Sequence, residues 1–293
     1  MSEIDLLRRI ARKARAAGRG LLLGIGDDCA IFRSRGASED LLFTTDMMLE
    51  DVHFRRGTHP PETVGWKALA RGLSDIAAMG GQPRFCLLSL AVPRWAGQDW
   101  IDAFYKGFLA LARKTSTPLV GGDLARAERM SCDVVVCGAV PPGKALRRDG
   151  ARPGDGIYVT GPLGGAALGL ETHSGAAWKK HSNPEPRLDF GLRLRGRATA
   201  AIDLSDGLSL DLHRLCLASR CAAVLDGEIP VFPGATLAQA LHGGEDYELL
   251  FTARTAVKGA IRIGAIKKGR PGLVEFEGKP LEPSGYDHFT RAI

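Results

Sequence analysis

The stretch Gly24-Ile25-Gly26-Asp27-Asp28-Cys29-Ala30 places two glycines directly before two adjacent carboxylates. Acids beside small residues recur along the chain, mostly where an apolar run ends. They stand in Thr44-Thr45-Asp46, Ser74-Asp75, Gly121-Gly122-Asp123, Asp203-Leu204-Ser205-Asp206-Gly207 and Gly243-Gly244-Glu245-Asp246. None of these segments carries a Lys or Arg of its own. The pattern predicts that acids from distant parts of the chain meet and hold divalent cations.

Such a meeting of acids requires a cation. Two like charges about 4 Å apart repel by about 4 kcal/mol at an effective dielectric near 20, and several such pairs rival the roughly 5 to 15 kcal/mol that stabilise a domain. Carboxylate and hydroxyl oxygens suit Mg²⁺, whereas Zn²⁺ calls for closely spaced His or Cys ligands, which the sequence lacks. We therefore expect a magnesium-dependent phosphoryl-transfer enzyme that uses ATP. The P-loop and protein-kinase signatures are absent.

The composition predicts a folded protein without nucleic-acid or membrane partners. The 293 residues suffice for one large or two ordinary domains. The net charge of +6 comes mostly from Lys and Arg near the two ends of the chain, without a nucleic-acid-binding motif, which favours a solvated face. Six cysteines without a CxxC pair indicate buried free thiols in a reducing compartment. With no long apolar run or signal peptide, we expect a soluble cytoplasmic protein.

Apolar spacing predicts mixed α/β structure (α+β) in two domains. We expect helices over residues 4–14, 61–80, 100–111, 161–170 and 208–216, strands over 30–32, 41–43, 85–92, 119–120, 134–136, 157–159, 249–251, 261–266 and 273–276, and a loop over 175–186. Pro141-Pro142-Gly143 marks the boundary between a domain of residues 1–142 and one of residues 143–293. The glycines of Gly161-Pro162-Leu163-Gly164-Gly165 suit either phosphate binding or close packing.

Two of the acids have a second interpretation from the sequence alone. Asp75 lies inside the second predicted helix, where it could form an exposed ion pair with Arg71, four residues earlier. Asp206 stands at the start of another predicted helix and could be only its N-cap.

The ordered motifs resemble the thiamine-monophosphate kinases, a family in the superfamily of aminoimidazole ribonucleotide synthetase. The resemblance spans nearly the whole chain and includes, besides the acidic segments, Val52-His53-Phe54, Leu73 to Gly80 and Gly285-Tyr286-Asp287-His288-Phe289. It implies ATP-dependent phosphorylation of thiamine monophosphate to the diphosphate by direct in-line transfer. It also implies an amino-terminal mixed sheet that pairs across a homodimer, and a carboxy-terminal α/β sandwich.

The resemblance also implies roles for individual residues. It assigns several Mg²⁺ ions to Asp28, Thr44, Thr45, Asp46, Asp75, Asp123, Asp203 and Asp206. It assigns ATP to Tyr105, Gly122, Arg148 and Ser205, and thiamine phosphate to His53, Glu245 and Pro283. For His53 a purely structural role beside Phe54 stays open. No catalytic base is needed, because a phosphate monoester with a second pKa near 6 is already an anionic nucleophile at neutral pH.

One departure and two alternatives accompany this interpretation. The family usually carries an aromatic residue two places before its final Gly-Tyr-Asp-His-Phe motif, whereas this chain has Pro283, so that either Pro283 or Tyr286 supplies the apolar contact. The first alternative is another ATP-dependent synthetase of the superfamily. The second is a non-catalytic protein that binds nucleotide or thiamine phosphate, which has little need of so many paired carboxylates.

Overall fold

The structure is a computed structural model that describes residues 3–14 and 18–289. Within those ranges the chain forms eight α-helices and thirteen β-strands. The helices are α1 Glu3–Ala14, α2 Pro61–Ala78, α3 Gln98–Lys114, α4 Gly165–Thr172, α5 Gly175–Ser182, α6 Leu188–Leu194, α7 Leu208–Ala218 and α8 Leu237–His242. The strands are β1 Leu21–Leu23, β2 Ala30–Phe32, β3 Asp40–Leu49, β4 Gln82–Val92, β5 Leu119–Arg126, β6 Ser131–Val140, β7 Gly156–Val159, β8 Ala198–Asp203, β9 Ala222–Leu225, β10 Leu249–Ala253, β11 Ile261–Lys267, β12 Val274–Phe276 and β13 Lys279–Pro280.

The first six strands form one sheet in the order β1-β2-β3-β6-β4-β5. Its neighbours are antiparallel except for β4 and β5, which are parallel. Alternate residues of the central strands, such as Leu42, Val134 and Val136, are buried with Leu69 and Leu73 of α2 in one apolar core. The other face of the sheet is more open. The period-two alternation thus decides which β3 side chains face α2.

The remaining strands form a second sheet in the order β13-β12-β9-β11-β7-β10-β8, antiparallel except for β9 and β12. One apolar core beside it gathers α7 and α8 with β7, β8 and β9. A smaller core joins α6 to Tyr158 and Phe251, whose rings stack with centroids 5.3 Å apart. Strand β8, which ends at Asp203, is an edge strand of this sheet.

Helix α2 packs against both sheets, so it lies where the two halves of the chain meet. Ala77 and Ala78 belong to the small core with Phe251, while Leu69 and Leu73 belong to the core of the first sheet. On a third side α3 approaches closely at Gly65, where an added Cβ would lie 2.0 Å from the carbonyl oxygen of Phe104. A helix buried on most sides holds its polar residues in fixed positions.

The predicted α/β fold with two sheets is confirmed, and most predicted elements occur close to their expected bounds. The predicted loop over residues 175–186 is wrong, because α5 occupies Gly175–Ser182. Its Trp178 packs edge-on against His59, a tertiary contact that the His, Asn, Pro and Lys content of the segment does not reveal. The domain division at residue 142 stays a prediction. In the described part of the chain no helix is long and apolar enough to cross a membrane.

Candidate active site

Three carboxylates from distant segments meet between the two sheets. Asp28 follows the glycine-rich turn, Asp75 lies on α2 and Asp203 ends β8, and one oxygen of each lies within 4.8 Å of the others. Asp28 and Asp203 are buried, and Asp75 is partly buried. The hydroxyl of Ser74 donates a hydrogen bond of 2.7 Å to Oδ2 of Asp203. We call Asp28, Asp75 and Asp203 the acid cluster.

The acid cluster carries more negative charge than its buried position tolerates. Burial and the charge of Asp203 raise the pKa of Asp75 well above its ordinary value, and burial and the charge of Asp28 do the same to the pKa of Asp203. Burial and the charge of Asp28 also raise the pKa of neighbouring Asp27 to about 7. A bound cation reverses this tendency, and an all-oxygen donor set fits a hard divalent ion such as Mg²⁺.

Arginines from other parts of the chain pair with several of the predicted metal ligands. Arg148 donates hydrogen bonds to Asp28 through Nη2 and, at 3.3 Å, through Nε, and its backbone N–H donates to Asp27. Arg71 donates to Asp46. Although the acidic segments contain no Lys or Arg of their own, Asp28 and Asp46 thus have basic partners from other parts of the chain. The alternative pairing of Arg71 with Asp75 is wrong, because Arg71 pairs with Asp46 while Asp75 accepts from Thr44.

The Thr44-Thr45-Asp46 segment divides its side chains between the two faces of β3. Thr44 and Asp46 lie on the α2 side, where Thr44 donates to Asp75. Thr45 is exposed on the opposite face and donates to Asp133 of β6 over 2.6 Å. The structure therefore brings Thr44 to the acid cluster, whereas the hydroxyl of Thr45 lies on the other side of the sheet.

A cleft of about 570 Å³ opens at the β5 edge of the first sheet. It is lined by Leu88, Tyr105, Leu119, Gly121, Gly122, Asp123 and Leu124. Gly122 has a φ of +156°, and a Cβ there would lie 1.8 Å from the carbonyl oxygen of Leu88, so that only glycine fits. The cleft brings together three predicted ligands, Tyr105, Gly122 and Asp123, and is large enough for a small molecule.

A second polar group lies beside α2 around Glu245. The fully buried Lys67 donates to Oε2 of Glu245 over 2.7 Å, and Nδ1 of His181 is 3.3 Å from the same oxygen. Burial works against this charge, but Lys67 and His181 outweigh it and lower the pKa of Glu245 to about 2. Glu245 has a left-handed φ of 67°.

His53 and the Gly285-Tyr286-Asp287-His288-Phe289 segment approach each other. The ring centroids of His53 and His288 are 5.2 Å apart, and those of His288 and Tyr286 are 4.6 Å apart. The backbone N–H of Tyr286 donates to the carbonyl oxygen of Asp206 over 3.1 Å, so that the segment lies against the turn after β8. Pro283 is exposed and precedes this contact.

Asp246 and Asp211 accept hydrogen bonds from backbone N–H groups at the starts of helices. The backbone N–H groups of Gly164 and Ala166 donate to Asp246 over 2.6 and 3.0 Å, so this carboxylate fills the glycine turn at the start of α4. Asp211 accepts from the N–H groups of Asp206 and Gly207, so it, rather than Asp206, satisfies the start of α7. Asp206 instead pairs with Arg214, so its alternative role as the N-cap of this helix is wrong. Ser205 beside it is partly buried.

The sequence interpretation missed several residues that shape the site. Ser74 and Lys67 lie within a predicted helix, and Asp133 directly precedes the strand predicted over residues 134–136, so none of them was assigned a role in the site. The helical spacing of Lys67, Arg71 and Asp75 is the signal that was available, since residues four apart share one helix face. Three ionisable residues along one face of an otherwise apolar helix indicate a polar site rather than a core.

Comparison with known proteins identifies relatives of this chain. Residues 26–140 match the family described as AIR synthase related protein, N-terminal domain. The thiamine-monophosphate kinase of Salmonella typhimurium is 36% identical to this chain, with 98% of both chains covered. That of Bacillus subtilis is 35% identical, over 99% of this chain and 100% of the relative. The solved structure of AaThiL complexed with AMPPCP and TMP superimposes with a TM-score of 0.89 at 31% identity, over 98% of this chain and 97% of the other.

The fold and the acids converging beside α2 define a protein built on the AIR synthase related domain. Within this class, the chain shares more than one third of its residues with thiamine-monophosphate kinases over nearly its entire length. The chain belongs to the thiamine-monophosphate kinase family.

Proposed function

We propose that this protein transfers the terminal phosphoryl group of ATP to thiamine monophosphate and forms thiamine diphosphate by direct in-line transfer. Family membership supports the reaction, and the structural relative at 31% identity is a complex with AMPPCP and TMP. The observation that carries the proposal is the meeting of Asp28, Asp75 and Asp203 within 4.8 Å between the two sheets. A transfer between two phosphate groups needs such a concentration of metal-binding oxygens.

Asp28, Asp75 and Asp203 would hold Mg²⁺, with Thr44, Thr45, Asp123 and Asp206 as further ligands suggested by the family resemblance. Asp46, which the resemblance also assigns to Mg²⁺, is paired with Arg71. When bound, Mg²⁺ neutralises phosphate charge as the phosphoryl group moves. The protein itself keeps the three carboxylates in place. Ser74 fixes the carboxylate of Asp203, and Thr44 fixes that of Asp75. Preorganised side chains of this kind avoid a rearrangement during the reaction.

ATP would occupy the cleft lined by Tyr105 and Gly122, with Arg148 and Ser205 contributing from the second half of the chain. Gly122 lines this cleft and has no side chain because β4 approaches it closely, with the carbonyl oxygen of Leu88 1.8 Å from where a Cβ would lie. Arg148 contacts the acid cluster through its hydrogen bonds to Asp28. A guanidinium has five N–H donors, so Arg148 can contact a phosphate while it keeps a bond to this carboxylate.

The acceptor would lie at His53, Glu245 and the segment around Pro283 and Tyr286. The backbone N–H of Leu49 donates to Nδ1 of His53 over 3.0 Å, which requires Nδ1 to be unprotonated. Burial and the charge of Arg71 lower the pKa of His53 to about 3, so the ring is neutral and its proton is on Nε2. His53 therefore offers a neutral N–H donor to the substrate. No side chain has to remove a proton from the acceptor phosphate.

We further propose that the amino-terminal half forms a homodimer through its open sheet face. Met47, Val120 and Leu124 expose 55 to 69% of their surface on β3 and β5, and β5 is an edge strand. Large exposed apolar side chains beside a free strand edge favour association. Residues 1–142 would then bind ATP, Mg²⁺ and the partner, and residues 143–293 would complete both substrate sites.

The six buried free cysteines support the predicted cytoplasmic location.

The test measures ADP release and thiamine diphosphate formation by the purified protein with ATP, Mg²⁺ and thiamine monophosphate. We expect turnover that requires Mg²⁺ and that Asp75→Asn abolishes without unfolding the protein. Thiamine and an aminoimidazole ribonucleotide precursor serve as alternative acceptors. Release with another acceptor alone would favour a different synthetase. Nucleotide binding without any release would favour the non-catalytic alternative.

A further inference from the structure

Arg71 is held by Asp46, one of the acids that the family resemblance assigns to metal. Its Nε and Nη2 lie 3.1 and 2.6 Å from Oδ1 of Asp46. The two side chains are only 14% and 20% exposed. The third nitrogen, Nη1, is enclosed and has no hydrogen-bond partner within residues 3–14 and 18–289. Asp46 is thus the acceptor that fixes this guanidinium.

Asp46 stands apart from the acid cluster in the structure. In the part of the chain that the structure describes, the group of acids whose oxygens lie within 4.8 Å contains Asp28, Asp75 and Asp203 but not Asp46. Asp46 still acts on the cluster through its charge, which contributes to raising the pKa of Asp75. Arg71 is one helical turn before Asp75, and its positive charge offsets the negative charge of Asp46.

We propose that Arg71 is the resident cation of Asp46 and takes the place of a divalent ion at this carboxylate. The protein would then bind one divalent ion fewer per chain than its acidic motifs imply. This inference rests on the proposed function only in treating the acid cluster as a metal site.

The physical reason is that Asp46 cannot serve both cations at once. A divalent ion on Asp46 would take away the acceptor of a buried guanidinium, and an unpaired buried charge is strongly destabilising. It would also place two cations side by side in a region of low dielectric, where like charges repel most strongly. Lys67, one turn before Arg71, adds a further positive charge on the same helix face, although Glu245 neutralises it.

The experiment counts bound Mn²⁺ from the electron paramagnetic resonance signal of the free ion, first without nucleotide and then with a non-hydrolysable ATP analogue. Arg71→Met frees Asp46, so we expect one additional Mn²⁺ per chain. The double variant Asp46→Asn/Arg71→Met removes both charges together and should bind as many ions as the wild type. Arg84→Met is the matched control, because it breaks an exposed pair with Glu39 and should leave the count unchanged.

Two results would overturn the proposal. One is an unchanged Mn²⁺ count in folded Arg71→Met. The other is a double variant that binds one ion fewer than the wild type, since Asp46 would then be a metal ligand despite Arg71. If Arg71→Met does not fold, the double variant decides alone, because it leaves no unpaired charge. The count needs no thiamine monophosphate, so it can be read even if the protein forms no thiamine diphosphate.

Discussion

The hydroxyl of Ser74 on α2 donates a hydrogen bond of 2.7 Å to Oδ2 of Asp203 at the end of β8, and both residues are buried. This bond links the helix that packs on the first sheet to a strand of the second sheet. Asp75 is the next residue on the helix. The Ser74 bond therefore helps to fix the distance between Asp75 and Asp203 of the acid cluster. Through this contact the packing of the two halves of the chain affects the geometry of the candidate metal site.

Ser74→Ala removes the donor and leaves a buried carboxylate oxygen of Asp203 without it. We expect a loss of about 1.5 to 3 kcal/mol in the free energy of unfolding, as for a buried hydrogen bond to a charged group. Because the hydroxyl also lowers the pKa of Asp203, its loss should raise the Mg²⁺ concentration needed for half-maximal activity. Denaturant unfolding and a Mg²⁺ titration measure the two effects. Ser174→Ala, at an exposed residue, is the control and should change neither.

Lys67→Met tests the fully buried cation of α2. The variant leaves Glu245 as a partly buried carboxylate without its ammonium partner, and breaking a buried pair in this way costs about 3 to 5 kcal/mol of stability. The double variant Lys67→Met/Glu245→Gln should recover most of that loss. Lys106→Met, which breaks an exposed pair with Glu62, should cost at most about 1 kcal/mol. Equal losses in the buried and exposed variants would show that the Lys67 pair has no special role.

The same pair predicts how stability depends on pH. Although burial opposes ionisation, Lys67 and His181 lower the pKa of Glu245 from 4.5 to about 2, and Arg71 adds to their effect. A carboxylate with a lowered pKa in the folded state stabilises the protein above its unfolded pKa, and this contribution is lost as the pH falls through the folded pKa. We expect the wild type to lose stability relative to Lys67→Met/Glu245→Gln between pH 4.5 and about 2. Parallel stability curves for the two proteins across that range would contradict the assignment.

The sequence predicted well those features that depend on neighbouring residues. The apolar spacing of α2 and α3 and the short apolar strands each follow from local burial. The acids at the ends of apolar runs were also recognised as candidate site residues from the sequence. Their position made this possible, because a carboxylate just beyond a buried strand or within an apolar helix has few structural uses.

Partners far apart in the sequence could not be predicted in this way. Arg148 reaches Asp28 across 120 residues, and Arg71 reaches Asp46 across 25. Adjacent acids also find different partners, since Glu245 pairs with Lys67 while Asp246 accepts from the backbone N–H of Gly164 at the start of α4. Such pairings arise only when the two sheets pack around α2, which no local pattern encodes.

Tyr286 rather than Pro283 should supply the apolar contact to the substrate. Tyr286 lies against His288, whose ring centroid is 5.2 Å from that of His53, whereas Pro283 is exposed. An aromatic contact worth about 0.5 to 1.5 kcal/mol corresponds to a change of roughly 2- to 13-fold in affinity. We expect Tyr286→Ala to raise the KM for thiamine monophosphate by that factor. Tyr286→Phe, which keeps the aromatic ring, should have a KM close to that of the wild type, and Pro283→Ala should change the KM less than 2-fold. Steady-state kinetics at saturating ATP and Mg²⁺ measure the three values, and a larger effect of Pro283→Ala than of Tyr286→Ala would assign the contact to Pro283.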